Sequence, residues 1–133
     1  MKTQTDETLR ILRIIRRRGV LTGSRKFGVD TDDSDYDYLI SRKIFEGENF
    51  NDYIGSVFKY NEGSGFEDEF QGLKIFYQGK TFDILIPNSE KDWGAWEYAT
   101  EQMALFPTDP ISNKEDRVML FEQLKSIYRK RNK

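Results

Sequence analysis

The sequence predicts an α+β (or α/β) domain, a mixed β-sheet of about four or five strands with helices packed mainly on one face. Helical and strand-like patterns alternate in the order helix, strand, strand, helix, strand, strand, helix, helix. Two strand-like runs, "LKIFYQ" and "KTFDILI", meet so closely around Gly79 that they read as a hairpin. The chain has 133 residues, about one domain's worth and enough for a single modest core, so residues 1–133 are read as one unit.

Residues 5–18 read as a helix with Leu9, Ile11, Leu12, Ile14 and Ile15 on a broad apolar face. Arg16, Arg17 and Arg18 complement its C-terminal dipole, and Gly19 stops it. "VLTG" is a short strand, residues 25–34 a Gly- and Asp-rich connection, and "YDYLIS" a second strand of β-favouring residues. Asn49 can cap a helix over 50–59, where Phe50, Tyr53, Ile54, Val57 and Phe58 recur at helical spacing and "NEGSG" ends the run. After the hairpin, closed by Pro87, Asn88 or Ser89 caps a helix reaching about residue 104. Pro107 and Pro110 mark a connection, and Ser112 with Glu115 has capping-box spacing before a helix carrying Val118, Phe121, Leu124 and Tyr128.

Composition excludes several chemistries. There is no cysteine, hence no disulfide, thiolate nucleophile or cysteine zinc site, and a reducing, cytoplasmic setting is expected. There is no histidine, so acid–base or metal chemistry falls mainly to carboxylates. Lys and Arg total 21 against 23 Asp and Glu, and a net charge of -2 selects no partner by bulk electrostatics. The N-terminus lacks a signal-like apolar region, and no apolar run approaches membrane-spanning length, so a soluble protein is expected.

The informative stretch is "GVLTGSRKFGVDTDDSDYDYLI", which carries Asp30, Asp32, Asp33, Asp35 and Asp37. It is not a P-loop, since neither Gly19 nor Gly23 begins G-x-x-x-x-G-K-[ST]. It is not an EF-hand either: starting at Asp30 puts Asp35 and Ser41 at the glycine and glutamate positions, and starting at Asp33 puts Tyr38 and Ile44 there. Strand alternation points Asp35 and Asp37 to one face and Tyr36 and Tyr38 to the other. Two such carboxylates are tolerable in a solvated turn, or around a hard divalent cation. Gly23 and Ser24 form a turn whose backbone and hydroxyl can approach phosphate oxygens. Asp83 interrupts the apolar run "TFDILI", either as a charge that discourages edge pairing or as a further ligand.

Together, "LTGSRKFGVDTDDSDYDYLI" and "TFDILI" resemble the G-S…[DE]-x-[DE] signature and third carboxylate strand of the DNA polymerase β-like nucleotidyltransferase superfamily, in its small bacterial and phage-type form. The resemblance implies a nucleotidyltransferase-like fold with a catalytic core at about 19–86 and C-terminal helices at about 88–133. It implies that Gly23 and Ser24 hold an NTP, that Asp35, Asp37 and Asp83 are catalytic ligands of Mg²⁺ or Mn²⁺, and that Asp83 serves the acceptor side. Arg25, Lys26 and Lys43 are further candidate partners of the triphosphate. The expected activity is metal-dependent transfer of a nucleoside monophosphate from NTP to a hydroxyl acceptor on a macromolecule, with release of pyrophosphate and with protein slightly ahead of RNA as acceptor. Two alternatives stand beside it: a catalytically weak nucleotide- or RNA-binding module of the same fold, and transfer to a small molecule.

Overall fold

A computed structural model describes residues 4–50, 69–108 and 111–132. The elements are α1 (Gln4–Arg18), β1 (Val20–Thr22), α2 (Gly23–Phe27), β2 (Tyr36–Leu39), α3 (Arg42–Gly47), β3 (Phe70–Tyr77), β4 (Lys80–Pro87), α4 (Glu90–Met103) and α5 (Lys114–Arg131). The strands form one mixed sheet in the order β1-β2-β4-β3, with β2 and β4 parallel and the outer pairs antiparallel. The expected α+β class with a sheet of about four strands is observed. Most of the helix expected over 50–59 lies outside the described residues.

The β3–β4 hairpin forms because Gln78 and Gly79 both take positive φ, 51° and 76°, as a two-residue primed turn requires. Ser89, not Asn88, caps α4 by accepting a hydrogen bond from the Asp92 amide. The start of α5 is one residue later than the Ser112–Glu115 spacing predicts. Asn113 Oδ1 accepts from the amides of Glu115 and Asp116, and an amide side chain that reaches both sets the register. Two short helices are not expected from the sequence, one in place of the Gly-Ser turn and one just after the strand "YDYLIS". The Gly23–Ser24 turn continues as α2, which Gly28 stops with φ of 76°, and Ser41 caps α3 by accepting from the Ile44 amide.

Helices cover both faces of the sheet, which corrects the expectation that they pack mainly on one face. Ile11, Leu12 and Ile15 of α1 and Phe45 of α3 pack against Phe82, Ile84 and Ile86 of β4 and Leu73 and Ile75 of β3. On the other face, Phe27 of α2, Trp96, Ala99 and Met103 of α4, and Phe121 and Leu124 of α5 gather around Leu39 and Phe70, with Leu85 against them. The physical reason is at the C-terminal ends of β2 and β4, where "YLI" (38–40) and "ILI" (84–86) are apolar at consecutive positions. Such runs present apolar side chains on both faces, and both must be covered.

One charged cluster ties α5 to the sheet. The Lys125 side chain is fully buried, with its ammonium 2.7 Å from Glu69 Oε2 and 2.6 Å from Glu122 Oε1, and it lies 4.4 Å from the centre of the Trp96 ring. Arg129 bonds the other Glu69 oxygen and Asp92 Oδ1. Burial acts to raise the Glu69 pKa, but the hydrogen bonds from Lys125 and Arg129 outweigh it and hold the carboxyl below its ordinary value. Glu69→Ala removes a shared partner of two cations and is expected to cost about 2–4 kcal/mol in urea denaturation, whereas Lys125→Met, which keeps the stem packed on Trp96, should cost clearly less.

Candidate functional site

The parallel pairing of β2 with β4 sets Asp37 opposite Asp83, and the antiparallel pairing of β3 with β4 sets Lys74 opposite Asp83. All three residues point to the face that α4 and α5 cover further along at Leu39 and Leu85, so the carboxylates lie beside the helical layer and not under it. Asp35 precedes β2 and stands half-exposed. Lys74 Nζ lies 3.4 Å from Asp83 Oδ1 and 4.0 Å from Asp35 Oδ2. The structure therefore brings Asp35, Asp37 and Asp83 together as the sequence leads one to expect.

Gly23 completes the arrangement from the side of β1. Its φ is +73°, and a Cβ placed there would meet Asp37 Oδ2 at 2.1 Å. Only glycine lets the Asp37 carboxylate pack against this turn, and α2 then carries Ser24 beside it. Across from the turn, Thr22 and Thr100 share a 2.8 Å hydrogen bond that joins β1 to α4. The Thr100 hydroxyl also donates to the Trp96 carbonyl, which leaves Thr22 as the donor to Thr100.

Between the turn and the helices is a pocket of about 250 Å³. Its polar side is Gly23, Ser24 and Asp37, its apolar wall includes Phe27, Trp96 and Phe121, and Lys114 and Arg117 stand at the start of α5. Arg117 is partly committed there, donating to the carbonyls of Ile111 and Ser112. Trp96 is a core residue that also walls the pocket.

The expected cations divide. Arg25 donates to the carbonyls of Thr31, Asp32 and Ser34, pairs with Asp30 at 3.2 Å, and stacks 4.0 Å from the Tyr36 ring centre. Its guanidinium braces the acidic loop, beside its expected role as a candidate partner of the triphosphate. Lys26 is exposed and Lys43 stands on α3 away from the pocket lining. Lys74 and Lys114 are the cations that the sequence reading passed over. Lys74 was within reach: counting three residues back from Tyr77 and three forward from Lys80 across the tight turn pairs it with Asp83. Lys114 depends on where α5 lands and leaves no local signal.

Electrostatics follow from crowding. Burial, and then the neighbouring Asp83 carboxylate, push the Asp37 pKa up to about 7. Burial likewise raises that of Asp83, with the Lys74 charge opposing. Among the described residues no group of three or more carboxylates is arranged to hold a metal ion as it stands. The donor set nonetheless suits a hard cation: three carboxylates converge, a buried Asp83 Oδ1 makes no hydrogen bond, and the Lys74 ammonium already stands in as a cation beside it.

No protein-family model matches the chain, and neither does any curated protein or solved structure. Among the described residues no helix is long and apolar enough to cross a membrane.

Gly23→Ala should destabilise the fold by about 1–2 kcal/mol or more, from the left-handed backbone and the displaced Asp37 carboxylate, as read by chemical denaturation. A folded carboxyl raised from 3.8 to about 7 holds a proton that the unfolded chain has already lost. Its contribution to stability is complete below pH 4 and disappears as pH rises towards 7. In metal-free buffer, Asp37→Asn should therefore flatten the fall in stability over that window and be more stable than the parent above pH 7. Identical pH profiles for the two proteins would remove the buried proton from Asp37.

Proposed function

We propose that this chain is a metal-dependent nucleotidyltransferase that moves a nucleoside monophosphate from NTP to a hydroxyl group on a macromolecule. The observation that carries this reading is the side-by-side placement of Asp37 and Asp83 on parallel strands, with Asp35 next to them and the Gly23–Ser24 turn packed against Asp37. In this reading Ser24 and the turn backbone bind the triphosphate, Lys114 adds charge at the pocket mouth, and the wall of Trp96 and Phe121 takes the nucleoside. The pocket's volume, about 250 Å³, is just below the roughly 300–1,000 Å³ usual for ligand sites, and Asp37 is part of its lining.

Asp35, Asp37 and Asp83 would hold Mg²⁺ or Mn²⁺, which when bound neutralises the triphosphate and acidifies the attacking hydroxyl. Asp83, on the side away from the pocket, accepts the hydroxyl proton. The acceptor oxygen forms a bond to the α-phosphorus, the bond from that phosphorus to the bridging oxygen breaks, and pyrophosphate leaves. A protein acceptor is placed slightly ahead of RNA because two basic positions are already engaged: Arg18 pairs with Glu48 at 3.1 Å, and Arg129 with Glu69 and Asp92. The competing reading, a nucleotide- or RNA-binding module that does not turn over, draws support from Lys74 and from the proton on Asp37, which balance the carboxylates without any metal.

The deciding experiment incubates the protein with each α-labelled NTP and Mg²⁺ or Mn²⁺, adds lysate divided into protein, RNA and small-molecule fractions, and follows the label. Transfer to a macromolecule is expected. Label confined to a small hydroxyl compound would overturn the macromolecular acceptor, and nucleotide binding without transfer in any fraction would favour the binding module. Asp83→Asn should retain NTP binding but lose more than about tenfold in transfer rate, or 1.4 kcal/mol of barrier. The double variant Asp35→Asn, Asp37→Asn should lose metal and NTP binding in calorimetry with little loss of stability. Ser24→Ala should weaken NTP by about 1.5–3 kcal/mol, one charge-assisted hydrogen bond.

A further inference from the structure

We propose that Lys74 is the resident counter-cation of the carboxylate trio, and that a divalent ion enters the site by displacing its ammonium. The inference rests on the reading of Asp35, Asp37 and Asp83 as metal ligands. Among the described residues Lys74 is the cation paired with the trio, at 3.4 Å from Asp83 and 4.0 Å from Asp35. The position is built in: strand register places Lys74 directly across from Asp83, so the ammonium reaches the carboxylates from a fixed backbone position. A divalent ion needs those same oxygens at about 2.0–2.6 Å, and an ammonium already 3.4 Å from Asp83 Oδ1 opposes its entry by like-charge repulsion. Outward movement of the ammonium relieves that repulsion.

Lys74 is able to leave. β3 is an edge strand, and the Lys74 side chain is 32% exposed where it meets Asp83. Its four-carbon stem lets the ammonium swing into water without any movement of the strand. Asp37 is fixed differently, pressed against the Gly23 Cα on the side of β1. The trio therefore has a rigid wall towards the pocket and a movable cation towards the opposite edge. In the metal-free protein Lys74 offsets the repulsion among the carboxylates, and the cost of removing it weakens metal binding. A bound ion would then hold the ammonium outward, on the Asp83 side where the proposed acceptor arrives.

The test measures Mn²⁺ binding without nucleotide, by electron paramagnetic resonance of the free ion, in the parent protein and in Lys74→Met, Lys74→Gln and Lys74→Arg. Both neutral variants should bind Mn²⁺ about tenfold more tightly or better, and Lys74→Arg should stay within about threefold of the parent. A second readout uses the parent chain alone, so it does not depend on any variant folding. Trace acetylation of Lys74, followed by mass spectrometry, should speed up several-fold in saturating Mn²⁺, and this response should vanish in the Asp35→Asn, Asp37→Asn variant. Equal Mn²⁺ affinity with and without the Lys74 charge, together with acetylation indifferent to the metal, would overturn the displacement while leaving the carboxylates as ligands. Absence of Mn²⁺ binding in every folded variant would overturn the displacement and the metal-site reading together.

Discussion

The parallel pairing of β2 with β4 imposes the constraint around which this molecule is arranged. It sets Asp37 and Asp83 at matched register, two carboxylates side by side at a partly buried place. Such a pair is unfavourable unless something removes or offsets charge. Three features of the structure do so. Asp37 keeps a proton up to about pH 7, Lys74 sets an ammonium next to Asp83, and Asp35, the third acid, stays half-exposed to water. A chain with no need of these carboxylates could place apolar residues on the same strands, as it does two positions later with Leu39 and Leu85.

The rest of the architecture serves to hold this pair at an opening. On the opposite face α1 and α3 pack over Phe82 and Ile84, the buried neighbours of Asp83, so β4 has no freedom to turn Asp83 away. On the near face the helices close over Leu39, Leu85 and Phe70 but stop short of the acids, and the pocket is the space left where Trp96 and Phe121 meet the Gly23–Ser24 turn. The buried Lys125, held between Glu69 and Glu122 under the Trp96 ring, fixes α5 against the start of β3. That anchor decides where Lys114 and Arg117, at the other end of the helix, face the pocket. A charged cluster remote from the carboxylates thus positions cations near them. Arg25 plays a comparable part on the other side, where its bonds to three loop carbonyls hold the acidic connection so that Asp35 follows on into β2.

How much was legible depends on the range over which each signal acts. The hairpin was readable because Gln78 and Gly79 suffice to turn the chain, and the same turn fixes which residues of β3 and β4 face each other. The grouping of Asp35 with Asp37 was readable from alternation alone. The caps were nearly so: Ser89 and Asn113 act on amides two or three residues away, and the only error was which of two adjacent polar residues takes the role. The use of Arg25 was not, because a guanidinium beside a Gly-Ser turn looks identical whether it meets a phosphate or the carbonyls of its own loop.

By itself, then, the sequence determined most of the longer local elements, the class of the fold and the candidate carboxylates, since period, turn chemistry and residue type are properties of a few neighbouring positions. It also excluded imidazole and thiolate chemistry outright, because composition has no spatial dimension. Only the tertiary structure decided that both faces of the sheet are covered, that Asp37 lies against Gly23, and that Lys74, Lys114 and Trp96 join the site. The reason is the same in each case. Asp37 meets Asp83 across 46 positions of chain only because two strands choose each other as parallel neighbours. Lys114 reaches the pocket only because a helix docks through a lysine buried beneath a tryptophan. Those choices are made by the burial of whole apolar faces, a sum over the entire core that no short stretch of residues contains.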